Sequence, residues 1–414
     1  MADVQAAERL RKPLPQPEPG LKPETVIARA AALKPLLREQ QAENDARGYY
    51  SDQLHNAFND AGLYRILQPR MFGGYEFDYP VFIKVILELA CGHPSTAWCY
   101  TLASSHVFLL SSHWSEQAQA ELFGKDGDIR ICQRASPAGT ITRVDGGFVV
   151  DGLFGFASGA PVSTHFIGST LLREGEGPPV VMSFVVPRAK YEVVPDWGGD
   201  ASLGMQGSGS NSIRLQKVFV PEHHWVAGDL MMSMLGRDGS PGVRLHGNPM
   251  YLGVAAGAFL TEFGAITTGV ARAALEEYEL LLDVTPIPRG AGQTRRADPE
   301  AWRVIGRAMN MTDAAWAVTL AAVNEYMEQC QRWARDGTPI RSADTLKLWG
   351  MSQEACKLAC GAVDMLFETA GARASLGGQR MQRYFRDIQA YRVHTTAQPT
   401  FATLRAQAHL GMIP

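Results

Sequence analysis

The sequence predicts a mainly α-helical protein with a β-domain set in its middle, and three observations predict it. Helical periodicity runs through the first 125 or so residues. From 126 to 228 the texture changes to short β-branched runs punctuated by turns, and beyond 251 four long helical patterns follow, the count and loop lengths of a four-helix bundle. The chain is therefore divided into a flexible N-terminal arm (1–22), an N-terminal helical domain (23–125), a middle β-domain (126–228), a linker or lid (229–250) and a C-terminal four-helix bundle (251–414). At 414 residues with 46% hydrophobic content, it has the apolar mass for two or three cores.

Taken in order, residues 1–22 are rich in proline and charge and read as an arm. The Ala-Ala-Leu-x-x-Leu-Leu spacing predicts one amphipathic helix over 26–41, and a second over 51–61 is stopped by Gly62. A glycine turn studded with aromatics, Met71-Phe-Gly-Gly-Tyr-Glu-Phe-Asp-Tyr, precedes a helical stretch from 79 to 123, in which Pro94-Ser-Thr opens a new helix. On that helix Trp98 and His106 stand eight apart, so they share a side. By spacing alone they read as a core tryptophan and a satisfied core histidine.

Strands are predicted at Ile129-Arg-Ile, Gly139-Thr-Ile-Thr-Arg-Val, Gly147-Phe-Val-Val, His165-Phe-Ile-Gly-Ser-Thr-Leu-Leu, Val180-Val-Met-Ser-Phe-Val-Val and Ser212-Ile-Arg-Leu-Gln-Lys-Val-Phe-Val. Asp145-Gly-Gly signals a hairpin. The regular turns leave no room for the helices of a dinucleotide-binding βαβ unit, and Gly207-Ser-Gly-Ser-Asn-Ser precedes a strand instead of opening a helix. A Gly/Met-rich linker over 228–250 is expected to cover a pocket. The bundle helices are placed at 252–282, 299–334, 341–370 and 379–394, with a loop at 285–298.

A net charge of −3 and a pI near 6.4 argue against nucleic acid as the main partner. No apolar run reaches the roughly 20 residues of a membrane span, and the start lacks a basic-then-apolar signal, so a soluble, cytoplasmic protein is expected. None of the six cysteines forms a C-x-x-C pair, and Cys356 and Cys360 read as buried thiols. His223-His224 lacks metal-ligand spacing with nearby carboxylates, as do His113 and His165, and no metal is predicted.

The stretch from Gly371 to His394 is the most distinctive. A Gly/Ser turn, Gly371-Ala-Arg-Ala-Ser375-Leu-Gly-Gly, feeds a helix rich in arginine that ends at His394. Bare backbone N–H groups and a helix N-terminus suit a phosphate or an electron-rich ring, so an anionic cofactor is expected.

Gly371-Ala-Arg-Ala-Ser, then Gln382-Arg383 and Arg386-Asp387 before His394, resembles the C-terminal signature of the acyl-CoA dehydrogenase superfamily. Within it the chain is similar to the two-component flavin-dependent monooxygenases, the hydroxyphenylacetate and steroid-phenol hydroxylases. Dehydrogenases of the superfamily place a catalytic glutamate shortly after the Arg-Asp pair, where this chain has Val393-His394-Thr395-Thr396. Further resemblances are Pro69-Arg-Met-Phe-Gly-Gly near the start, Ser95-Thr-Ala-Trp98 followed by His106, Val150-Asp-Gly-Leu-Phe-Gly-Phe-Ala-Ser-Gly159, Met205-Gln-Gly-Ser-Gly-Ser-Asn with Val218-Phe-Val-Pro221, and Gly269-Val-Ala-Arg272-Ala-Ala-Leu. Two departures stand out. Phe154 replaces the usual tryptophan of the third motif, and Cys132-Gln-Arg-Ala-Ser136-Pro137 replaces a serine-rich loop.

The resemblance implies an acyl-CoA dehydrogenase-like fold and the oxygenase component of an enzyme that hydroxylates a phenol-like aromatic through a C4a-hydroperoxyflavin. The same fold and chemistry would also serve an N- or S-hydroxylase, and a dehydrogenase or a non-catalytic binding protein are further readings. It implies FMNH₂ or FADH₂ from a separate NAD(P)H:flavin reductase, O₂ as co-substrate and a homotetramer. His394, His106 and Ser158 take the catalytic roles, and Trp98, His106 and His394 bind the aromatic. Ser158, Phe156, Gly159, Arg272, Gly371 and Ser375 contact the flavin. The imidazoles are expected to titrate near working pH and to favour the phenolate.

Overall fold

The structure is a computed structural model that describes residues 17–173, 175, 177–231, 238–287 and 292–413. Most of the predicted arm, residues 1–16, lies outside the described residues, as do 232–237 of the linker and 288–291 of the loop before the second bundle helix.

The single helix expected over 26–41 is instead three: α1 (Pro23–Ala32), α2 (Lys34–Glu39) and α3 (Gln41–Arg47). Pro35 has no N–H to return to the carbonyl four residues back and its ring crowds that turn, so the first helix ends at Ala32 and a new one starts around the proline. α4 (Asp52–Asp60) is capped by Ser51, whose Oγ accepts from Leu54 N at 3.2 Å. The helical stretch 79–123 resolves into α5 (Tyr79–Gly92), α6 (Pro94–Ser105), α7 (Val107–His113) and α8 (Glu116–Phe123).

Among the described residues the β-domain holds eight strands: β1 (Ile131–Arg134), β2 (Thr140–Val144), β3 (Gly147–Phe154), β4 (His165–Leu172), β5 (Val180–Pro187), β6 (Glu192–Val193), β7 (Ile213–Pro221) and β8 (Trp225–Ala227). They form two four-stranded sheets, β1-β4-β5-β8 and β2-β3-β7-β6, antiparallel except for the β1/β4 pair. The Asp145-Gly146 turn joins β2 to β3 as expected, with Val144 opposite Gly147 and Gly146 at φ 73. Phe154 ends β3 in the core between the sheets, 5.4 Å from Phe166 and 5.8 Å from Phe184. The alternation of β3 turns it inward, so it is not a wall facing a cofactor.

A short helix, α9 (Pro241–His246), stands inside the segment expected to be linker. The bundle follows: α10 (Ala255–Val284), α11 (Pro299–Asp336), α12 (Ser342–Thr369) and α13 (Arg380–Arg392), with a further helix, α14 (Thr400–His409), that the sequence reading missed. α11 carries Asp298 as its cap, Pro299 in its first turn and Gly337 in a left-handed conformation after its end. The first half of α10 is buried on every side because α5, α6, α11, α12 and α13 all pack on it. α6 in turn touches α10, α13, β1 and the turn at 206–208, so it sits where the three parts of the chain meet. All six cysteines are buried free thiols.

Candidate active site

Two chambers open at that meeting point, of about 490 and 440 Å³. Arg134, Phe156, Ser158, His394 and Thr395 line both, so they form the seam between them. Trp98 of α6 and Trp197, Met205, Ser208 and Ser210 of the loop before β7 complete the first. His106, Gln133, Glu262, Phe259 and Phe263 belong to the second, along with Trp349, Phe401 and Leu404.

In the first chamber a row of hydroxyls is built on the indole of Trp98. Trp98 Nε1 donates to Ser158 Oγ at 3.1 Å, Ser158 Oγ lies 2.7 Å from Ser210 Oγ, and Ser210 Oγ lies 2.7 Å from Ser208 Oγ. The indole donor that Phe154 does not supply thus comes from Trp98, a different element. Gly159 makes this possible without lining either chamber. Its φ is 80°, and a Cβ there would lie 2.9 Å from Ala103 Cβ and 3.0 Å from Cys99 O, so only glycine lets the segment after β3 close on α6. Phe156, also left-handed at φ 60, is displayed toward the cavity, with Trp197 at 6.1 Å and Arg134 Cζ at 5.9 Å from its ring.

In the second chamber the two histidines are held in opposite senses. His106 caps α6, and its Nδ1 lies 2.8 Å from Ile131 O. A carbonyl can only accept, so Nδ1 carries the proton and Nε2 is left as an acceptor. His394 follows α13, and its Nδ1 receives Thr396 N at 3.3 Å and lies 2.8 Å from Thr396 Oγ1. Because a backbone N–H can only donate, Nδ1 is the acceptor here and Nε2 carries the proton. Phe259 packs on His106 at 5.4 Å and Phe263 on His394 at 5.2 Å, and these rings are one turn apart on α10. Trp98 meets His394 edge-on at 5.4 Å.

Burial pushes both imidazoles down to about 4, with the Arg134 charge adding to the effect at His394. Both are therefore neutral at pH 7, and the expectation that they titrate near working pH is corrected. Behind Phe259 and Phe263, Glu262 is fully buried and its carboxyl is pushed up to about 8 by that burial. Tyr79 OH and, at 3.4 Å, Ser105 Oγ donate to it. No sequence signal singled it out, since a glutamate on a long helix reads as solvated.

Other predicted residues fall elsewhere. Trp98 lines the first chamber and not the one that holds His106. Arg272 lies over Trp316 at 5.6 Å, and neither it nor Gly371 or Ser375 lines either chamber of this single chain. The arginines after the Gly/Ser turn are largely structural. Arg383 Nε donates to Asp45 Oδ2 at 2.7 Å in a buried pair, Arg386 reaches Leu203 O at 3.3 Å, and Asp387 Oδ1 accepts from Met205 N at 2.7 Å. Burial alone would raise the Asp45 carboxyl, but His93 and Arg383 outweigh it and hold it low. For Asp387, burial and the Asp45 charge push the carboxyl up to about 7. Far from the chambers in sequence, Glu121 Oε2 lies 2.7 Å from His223 Nε2 and its Oε1 3.5 Å from His224 Nε2, a carboxylate that spacing did not show.

Residues 261–399 match the family described as acyl-CoA dehydrogenase, C-terminal domain. Over 376 residues, 90% of this chain and 94% of the relative, the sequence is 30% identical to the flavin-dependent monooxygenase oxygenase subunit HsaA of Rhodococcus jostii. The chain belongs to this flavin-dependent monooxygenase family. It is also 26% identical to the oxygenase component of p-hydroxyphenylacetate 3-hydroxylase from Acinetobacter baumannii, over 88% of this chain and 83% of the relative. The crystal structure of 3-HSA hydroxylase from Rhodococcus sp. RHA1 superimposes with a TM-score of 0.84 at 27% identity, covering 94% of this chain and 97% of that one. The first chamber has the shape and lining for a flat ring with polar edges. Its aromatic faces (Trp98, Phe156, Trp197) and its serine row (Ser158, Ser210, Ser208) form a donor set that fits such a ring.

Proposed function

We infer that this chain is the oxygenase component of a two-component monooxygenase that hydroxylates a phenol-like aromatic, with the flavin in the first chamber and the aromatic in the second. The observation that carries the reading is the pair of neutral histidines on one cavity, His106 offering a lone pair and His394 an N–H. A phenol hydroxyl both donates and accepts, so it complements such a pair. Hydrogen bonding to His106 draws the O–H proton outward and enriches the ring carbons ortho to the oxygen, while His394 Nε2–H at the seam steadies negative charge on the flavin side. Reduced flavin, when bound, supplies the two electrons by which one atom of O₂ enters the ring and the other leaves as water. Ser158 would hold the polar edge of that ring, and the apolar walls Phe259, Phe263 and Trp98 keep water out.

The reading includes reduced FMN or FAD delivered by a separate NAD(P)H:flavin reductase. It also includes a cytoplasmic location; among the described residues no helix is long and apolar enough to cross a membrane. A homotetramer belongs to it as well. In such an assembly Gly371, Ser375 and Arg272, which line neither chamber of this chain, would contact flavin across a subunit boundary. The test is to mix protein with chemically reduced flavin, oxygen and a panel of phenols, measuring ring-hydroxylated product against hydrogen peroxide. Product is expected from at least one phenol, and His394→Ala should divert most of the flux to peroxide with little change in flavin affinity. Peroxide alone from every phenol would refute the assignment.

A further inference from the structure

We propose that Arg134 is a specificity-determining residue that selects an aromatic substrate bearing a carboxylate. This deepens the hydroxylase reading and rests on it for assigning the second chamber to the aromatic. Arg134 stands in the motif Cys132-Gln-Arg-Ala-Ser136-Pro137, at the end of the strand whose carbonyl holds His106.

Arg134 ends β1, is half-buried, and lines both chambers. Among the described residues no carboxylate or carbonyl takes its guanidinium; its neighbours are the Phe156 ring and neutral His394. The acids of the same chamber do not answer it. Glu262 is held by Tyr79 and Ser105, and Asp229 is solvent-exposed and accepts from Met231 N at 2.9 Å. A guanidinium left in a partly dry cavity is satisfied best by a bidentate carboxylate, which matches its planar fork. The strand supplies the spacing. His106 is fixed to Ile131 O, and Arg134 stands three residues further along extended backbone, about 10 Å away by strand rise. On that backbone spacing one aromatic ring with a short acidic arm would bridge the two, its phenol at His106 and its carboxylate at Arg134.

The experiment compares 4-hydroxyphenylacetate and 3-(4-hydroxyphenyl)propionate with their amides, which have the same shape without the charge. Binding is followed by tryptophan fluorescence without oxygen, and turnover is then followed with reduced FMN. Wild type is expected to bind at least one acid about tenfold or more tighter than its amide, a preference that weakens with salt. Arg134→Met should abolish the preference, and Arg134→Lys should retain part of it. Equal binding of acid and amide by wild type overturns the proposal. So does an Arg134→Met variant that loses both equally or loses only flavin affinity, since the arginine would then serve the cofactor. Acid-selective binding without hydroxylation keeps the subsite and refutes the hydroxylase reading, whereas hydroxylation with no acid preference does the reverse.

Discussion

Glu262 shows how a single buried proton shapes this protein. In an unfolded chain its carboxyl would titrate near 4.3, but in the fold burial pushes it up to about 8. Between those values the native state keeps a proton that the unfolded chain gives up. The stability present below about pH 4.3 is therefore lost progressively as pH rises through 8, at a limiting slope of about 1.4 kcal/mol per pH unit. Glu262→Gln keeps the carbonyl oxygen that accepts from Tyr79, without the titration. Its urea midpoint should match wild type at pH 4 and exceed it increasingly up to pH 8.5; parallel curves would show that the carboxyl stays ionised throughout. The two histidines act in the other direction. Their folded values lie near 4, below the ordinary 6.5, so the stability they contribute above 6.5 fades as pH falls toward 4.

At the scale of an element, α13 shows how its arginines work. Arg383 crosses to Asp45 and to Gln41 Oε1 at 3.0 Å, and Asp387 ties down the loop at Met205, where a Cβ on Gly204 would collide with Arg386 O. The helix thereby joins α3, the serine-bearing loop and the segment that carries His394. That segment is also clamped from α12, where Trp349 Nε1 and Gln353 Nε2 donate to Thr396 O at 3.2 and 2.7 Å. Arg383→Met leaves Asp45 buried with only His93 beside it at 3.2 Å. The expected loss is about 3–5 kcal/mol in chemical denaturation, and Asp45→Asn in the same chain should restore part of it. A loss under about 1 kcal/mol would mean that the pair is solvated and that α13 is held by its apolar face alone.

Taken as a whole, the molecule places its chambers where three parts of the chain meet, the N-terminal helices and the bundle sharing one core and the β-domain holding a second, with walls from α6, β1, the loop before β7, α10, α12 and the segment after α13. A ligand there binds only when all three are docked, so it stabilises the assembled state against every opening that separates them. Anaerobic melts with reduced flavin should show a midpoint that climbs with the logarithm of flavin concentration, worth about 2.7 kcal/mol at a hundredfold excess over Kd. Trp98→Ala should shift the curve to higher flavin. A Trp98→Ala curve that coincides with wild type would place the flavin outside the first chamber, and a midpoint insensitive to reduced flavin would mean that the folded chain does not bind it.

Periodicity alone determined the helical start, the β-domain with its Asp145-Gly146 hairpin, and the bundle helices to within a few residues. These follow from local alternation and turn chemistry that every window of sequence carries. Motif order across distant segments also pointed to His106, His394 and Ser158, which the fold brings to one cavity. Only tertiary structure decided what each does there. The tautomer of His106 depends on Ile131, the neutrality of both imidazoles depends on burial, and Trp98 supplies the donor to Ser158 because α6 docks on Gly159. The inward turn of Arg383, the free charge of Arg134 and the buried acid at Glu262 were illegible for the same reason. A side chain's charge and its partners are set by residues tens to hundreds of positions away, and pattern along the chain contains no record of that distance.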